Sequence, residues 1–153
     1  MKTIFLILLT LSISVLYAQD AVDPDTALWH TDYQHIIAES QERDLPILMV
    51  FSGCDWCKPC IKLKNQILET EEFENWAETH TVCIVLNFPS SKKHALSKEQ
   101  TEQNEALAER FNKCGIFPLV LILNSDEEIL GNLGYEDISV AEYIAKIEEI
   151  INQ

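Results

Sequence analysis

Basic residues are scarce in this chain. Lysine and arginine together number 11 against 25 aspartates and glutamates, a formal net charge of −14 at pH 7. So acidic a surface repels a phosphate backbone, which excludes nucleic acid as a partner and leaves the charge as a solubility feature. Long apolar runs are missing after the first 18 residues, so no later stretch could cross a bilayer as a helix. Internal repeats and low-complexity segments are absent too. That leaves 153 residues, 47% of them apolar, to be read as one domain with a real core. The four histidines, His30, His35, His80 and His94, show no ligand spacing relative to one another and are assigned no role.

The apolar run that does exist is at the start. Lys2, the segment Ile4 to Leu11, and Val15-Leu16-Tyr17-Ala18 follow the order basic, apolar, small residue of a secretory leader. The expected division is a signal peptide over 1–18 cut after Ala18, a flexible polar lead over 19–28, and a folded domain over 29–153. No cysteine follows the apolar region closely, which disfavours a lipid anchor. An exported protein, periplasmic or secreted, with no stable membrane insertion after cleavage is the expectation. Five cysteines in an oxidising compartment would suit a disulfide scaffold, but the number is odd and three of them cluster.

That cluster is the centre of the chain. Leu45 to Phe51 is a continuous apolar run of the kind a strand covered on both faces shows. Beyond Cys57, residues Ile61, Leu63, Ile67 and Leu68 recur at helical spacing among polar neighbours, so Cys57 falls at a helix start and Cys60 one turn on. Unpaired N–H groups at a helix start favour a thiolate over a thiol, and Lys58 adds a full charge. Cysteines so placed have pKa values lowered from about 8.5 into roughly the 3.5 to 7.5 range, which makes Cys57 the attacking sulfur. Cys60 is placed to resolve the mixed disulfide, and Pro59 suits a first helical turn. Cys54 extends the run to C-x-x-C-x-x-C. Two pairings are conceivable, Cys57 with Cys60 or Cys54 with Cys57, and the first is favoured because Cys54 lies on the strand side of the turn. Cys54 is read chiefly as a buried small residue, with an extra redox thiol as its other role. Cys83 and Cys114 stand in apolar sequence surroundings and are expected to be inert core thiols.

The rest of the chain alternates. Thr31 and Gln34 have capping-box spacing before a helix over about 32–43, with Tyr33, Ile36 and Ile37 inward. The cysteine helix is expected to continue as a helical turn or two over Glu71 to Glu78, with Phe73 and Trp76 apolar. Thr81 to Asn87 reads as a buried strand, and Phe88 to Leu96, with Lys92, Lys93 and His94, as a solvated loop. Ser97 and Gln100 open a helix to about Asn112 with Ala106, Leu107 and Phe111 inward. Pro118 leads a strand to Leu123, and Glu128 to Leu133 pairs back as a hairpin. Ser139 and Glu142 cap a last helix whose Val140, Tyr143, Ile144, Ile147, Ile150 and Ile151 form one stripe. Alternation closed by a hairpin predicts an α/β fold, a central mixed sheet with helices on both faces.

Trp56-Cys57-Lys58-Pro59-Cys60 and the later Gly115-Ile116-Phe117-Pro118-Leu119-Val120-Leu121-Ile122-Leu123 resemble the thioredoxin superfamily, with its Trp-Cys-x-Pro-Cys signature and its cis-proline before a strand. The resemblance covers roughly residues 29 to 151. It implies a thioredoxin-like fold with a terminal β-hairpin and C-terminal helix, and an exported thiol-disulfide oxidoreductase. Cys57 and Cys60 would be its catalytic pair, and Trp56, Lys58, Pro59, Phe117 and Pro118 would receive the substrate. It further implies protein thiol or disulfide clients, an unidentified redox-recycling partner, no organic cofactor, no metal, and a monomer. One departure concerns proton transfer. The buried acid that reducing members carry six residues before the first cysteine falls at Phe51, and its lysine partner falls near Cys83, so both are replaced. Two other readings stand beside this one. Cys54, Cys57 and Cys60 could give thiolates to a soft ion such as Cu(I) or Zn, although a fourth ligand is missing. Alternatively the chain is a thioredoxin-like interaction domain with vestigial cysteines.

Overall fold

A computed structural model describes residues 28–153. The signal peptide expected over 1–18 and nearly all of the lead over 19–28 lie outside the described residues.

Five strands form one mixed sheet in the order β1-β3-β2-β4-β5. β2 (Ile47–Ser52) and β3 (Val82–Asn87) run parallel at its centre, and β4 (Leu119–Leu123) and β5 (Ile129–Leu133) add antiparallel strands on one side. The apolar run read as a doubly covered strand is that: every residue of β2 is buried. Its alternate residues feed two cores. Ile47, Met49 and Phe51 join Tyr33, Ile36 and Leu107 on one face, while Leu48 and Val50 join Leu63, Ile67, Phe73, Tyr143 and Ile147 on the other. Helices α1 (Tyr33–Arg43) and α4 (Lys98–Phe111) thus cover one face. The cysteine helix α2 (Lys58–Leu63), α3 (Glu71–His80) and α5 (Val140–Ile151) cover the other.

One strand has no counterpart in the sequence pattern. β1 (Trp29–His30) pairs parallel with β3 opposite Cys83 and Ile84, and two residues are too few for any periodicity to register.

The caps divide between expectation and correction. Ser139 and Glu142 form the complete reciprocal box. Ser97 accepts the Gln100 N–H, but the Gln100 side chain donates to the Thr31 carbonyl and to Asn104 instead of closing the box. Thr31 does not cap α1. Asp32 does, accepting the N–H groups of Gln34 and His35 at 2.8 and 3.1 Å, while the Thr31 carbonyl is taken by Gln100 and Gln103 of α4. A carboxylate acceptor at the helix start is worth about 1 kcal/mol and outcompetes a threonine one residue earlier.

Helix phase supplies three further corrections. The inward face of α4 is Asn104, Leu107, Ala108 and Phe111, spaced i, i+3, i+4 and i+7, and Ala106 is exposed. Ile61 is exposed as well, while Leu63, Ile67 and Leu68 are buried. The cysteine helix does not run on into Glu71. It loosens into a π-helical turn over Lys64–Leu68 and ends at Glu69, after which Thr70 caps α3 as a separate helix. The wider turn brings the adjacent Ile67 and Leu68 both inward.

Candidate redox site

The end of β2 places the turn. Gly53 follows directly, and both Trp56 and Cys57 donate their backbone N–H groups to its carbonyl, at 3.3 and 2.9 Å. Only glycine fits there, because a Cβ would lie 2.5 and 2.6 Å from atoms of the Trp56 indole. The tight turn delivers Cys57 to the cap position of α2, with Lys58 and Pro59 as its first two helical residues.

Cys57 and Cys60 are joined as a disulfide, with an S–S distance of 2.07 Å, and Cys54 is not paired with either. Of the two conceivable pairings the structure therefore holds Cys57 with Cys60. The Cys60 N–H donates to Cys57 Sγ at 3.2 Å, and the Gly53 N–H donates to Cys60 Sγ at 3.4 Å. The first of these is the helix-start donor that stabilises negative charge on the Cys57 sulfur once the disulfide opens. Cys57 is only 5% exposed in this oxidised state and Cys60 3%. Cys57 is thus more covered than the expectation of an open helix start, and the exposed members of the motif are Trp56, Lys58 and Pro59.

The second segment comes to the same place. The Phe117–Pro118 peptide bond is cis. Phe117 meets Trp56 edge-on at 5.3 Å between centroids and meets Phe88 likewise at 5.3 Å. Pro118 and Cys60 share the wall of a cavity of about 180 Å³. Trp56 is 49% exposed and Ile116 53%, so an apolar surface stands open beside the disulfide.

That cavity corrects the assignment of the missing acid. The β2 residues sharing it with Cys60 are Val50 and Ser52, and the β3 residues are their register partners Val85 and Asn87. Phe51 points to the opposite core, where it stacks on Phe88, and Cys83 lies two register positions from Val85. Val50 and Ser52, one residue either side of Phe51, are on the cavity face, because alternate residues of a strand point to opposite faces. The conclusion that no carboxylate or lysine borders the cavity with Cys60 from these two strands stands, on Val50, Ser52, Val85 and Asn87. Lys64 and Glu69 also border the cavity, paired with each other at 3.2 Å and largely solvated.

The other cysteines differ from one another. Cys54 is half-buried on the same cavity, and burial followed by the neighbouring Asp55 charge pushes its thiol pKa up. Cys83 is fully buried, and burial pushes its thiol up to about 12. Cys114 is exposed, contrary to its expected place among core thiols, because it lies between the end of α4 and the turn at Gly115, where φ is +61°.

Asp55 was not singled out in the sequence, and it organises the approach to the site. Its carboxylate accepts the N–H groups of Ser90 and Ser91 at 2.9 and 2.8 Å and the Ser90 hydroxyl at 3.3 Å, and His94 Nδ1 lies 3.3 Å away. The two backbone donors hold its pKa at about 2. Trp56 Nε1 donates to the Phe88 carbonyl at 2.7 Å. The loop expected to be merely solvated is therefore tied to the cysteine turn at both Phe88 and Ser90-Ser91. The sequence signal was an acid inside the motif and a serine pair in the loop after β3.

Residues 28–125 match the thioredoxin-like family. The chain belongs to the thioredoxin-like family. Among relatives, it is 34% identical over 135 residues to the thioredoxin-related protein DsbJ of Chlamydia pneumoniae, covering 88% of this chain and 38% of that one. It is 29% identical over 119 residues to the disulfide bond reductase DsbH of the same organism, covering 78% of this chain and 70% of that one. The chain thus spans little more than a third of the length of the first relative. A solved structure described as DsbH oxidoreductase superposes with a TM-score of 0.76 at 26% identity, covering 92% of this chain and 95% of that one.

Proposed function

We propose that this chain is an exported thiol-disulfide oxidoreductase that exchanges disulfides with protein clients through Trp56-Cys57-Lys58-Pro59-Cys60. The observation that carries the reading is the Cys57–Cys60 disulfide at the head of α2, with the Cys60 N–H directed at Cys57 Sγ. In the reduced protein the Cys57 thiolate attacks one sulfur of a client disulfide. The client S–S bond breaks, its leaving sulfur takes up a proton, and a mixed disulfide remains. Cys60 then gives up its proton and attacks Cys57 Sγ, releasing the second client thiol and closing the Cys57–Cys60 bond. Two electrons and two protons pass to the client, and a partner dithiol restores the pair. Trp56, Phe117 and Pro118 receive an extended client segment, with Lys58 and Pro59 at its edge. Client reduction is the direction supported by the name of the reductase relative. Export rests on the leader-like residues 1–18.

Turnover of insulin disulfides with a dithiol donor tests the activity. The protein should accelerate insulin precipitation and Cys57→Ser should abolish the effect; equal rates in the two would end the proposal. Cell fractionation tests export, which predicts the protein, shortened at its N-terminus, outside the cytoplasm.

A further inference from the structure

Two histidines that carry no recognisable spacing in the sequence converge on one carboxylate. His30 lies on β1, His35 in the first turns of α1, and Glu39 one turn beyond His35. His30 Nε2 is 3.5 Å and His35 Nε2 is 3.6 Å from the same oxygen, Glu39 Oε2. One donor atom from each of the three residues lies within 4.8 Å of the others. Around a tetrahedral Zn²⁺ with bonds of about 2.0–2.1 Å, neighbouring donor atoms are about 3.3–3.4 Å apart. Two of the three edges already have nearly that length, so only the imidazole-to-imidazole edge must close.

The surroundings orient the donors. Glu39 Oε1 is held by Arg43 Nη1 at 2.6 Å, and Arg43 Nη2 is anchored on the Glu78 carbonyl at 2.6 Å. This leaves Oε2 turned to the histidines, as an outer partner fixes a ligating carboxylate. The His30 side chain is 10% exposed and that of Glu39 21%. The imidazole centroids are 4.9 Å apart, so the two rings stand side by side over the same carboxylate. His30 and Glu39 border a cavity of about 600 Å³ that Arg43, Glu74 and Glu78 also line.

We propose that His30, His35 and Glu39 form a divalent transition-metal site, with Zn²⁺ as the fitting ion and an open fourth position for water or an anion. Two imidazoles and a carboxylate suit Zn²⁺, whereas the cysteine cluster would select softer ions. The site uses none of the redox residues, so it stands whether or not the oxidoreductase reading does.

Calorimetric titration of the oxidised protein with Zn²⁺, repeated for His35→Gln and Cys54→Ser, decides it. His35 is 40% exposed, so its replacement leaves the core intact, and circular dichroism checks that each variant is folded. One equivalent of Zn²⁺ should bind. His35→Gln should weaken binding by more than the ~100-fold that loss of an outer partner can cost, and Cys54→Ser should leave it unchanged. Co²⁺ in place of Zn²⁺ should give visible bands without thiolate-to-cobalt charge transfer. Absence of saturable binding, binding that survives His35→Gln, or binding lost in Cys54→Ser overturns the site.

Discussion

The Asp55 carboxylate and the Ser91 backbone N–H are joined at 2.8 Å, so the residue two places before Cys57 holds the loop that flanks the site. Because this bond and its Ser90 counterpart hold the Asp55 carboxyl at about 2, the folded state binds that proton more weakly than the unfolded chain, whose carboxylates titrate near ~4. The stabilisation is therefore fully present above the unfolded value and fades as pH falls through about 2. Thermal unfolding of Asp55→Asn should show a lower Tm than the parent at neutral pH, with the gap narrowing in acid. A gap that stays constant from neutral to acid pH would mean the carboxylate is not the clamp.

Val50, not Phe51, faces Cys60. A carboxylate at Val50 enters the wall of a small cavity and should cost about 1–3 kcal/mol for burying the polar group. At Phe51 it also removes a fully buried ring, which alone costs about 3–5 kcal/mol. Urea unfolding should rank Val50→Asp as the milder change, and Val50→Asp alone should move the Cys60 thiol titration. The reverse ranking, or a shifted Cys60 in Phe51→Asp, would restore the simple count from Cys57.

The sheet, both helical layers, the hairpin and the cysteine pair were legible because each rests on a strong local signal. β2 is an unbroken apolar run, α5 an apolar stripe closed by Ser139 and Glu142, and the redox pair a five-residue motif. What was not legible depends on register or on convergence across the fold. A one-residue difference in register puts Val50 rather than Phe51 on the cavity, and a threonine loses its cap to Asp32. His35 and Glu39 are one turn apart on α1, and His30 joins them only because a two-residue strand docks on β3 beside that helix. A contact made between separate elements carries no period and no fixed spacing.

The unpaired cysteines should separate by rate of alkylation. Cys114 is exposed, Cys54 is half-buried with a raised pKa, and Cys83 is buried with its thiol at about 12. In the oxidised protein near neutral pH a maleimide should modify Cys114 first, Cys54 more slowly, and Cys83 only on unfolding. Peptide mapping over time reads the order. Native-state labelling of Cys83 at a rate close to that of Cys114 would contradict the packing of β3.

Resolution by Cys60 is where this member should differ from a relative with an acid behind its second cysteine. Val50, Ser52, Val85 and Asn87 offer Cys60 neither carboxylate nor amine, and Lys64 and Glu69 on the same cavity are engaged with each other. Proton removal must then go through solvent or the departing client sulfur, so the mixed disulfide on Cys57 should persist in the unaltered protein and become permanent in Cys60→Ser. Quenching a reaction with a disulfide-bonded client in acid and resolving it on a non-reducing gel should show a transient adduct for the parent and a stable one for Cys60→Ser. Cys57→Ser should form none. If the parent adduct is undetectable at the earliest times while Val50→Asp leaves turnover unchanged, resolution does not depend on a base at that wall.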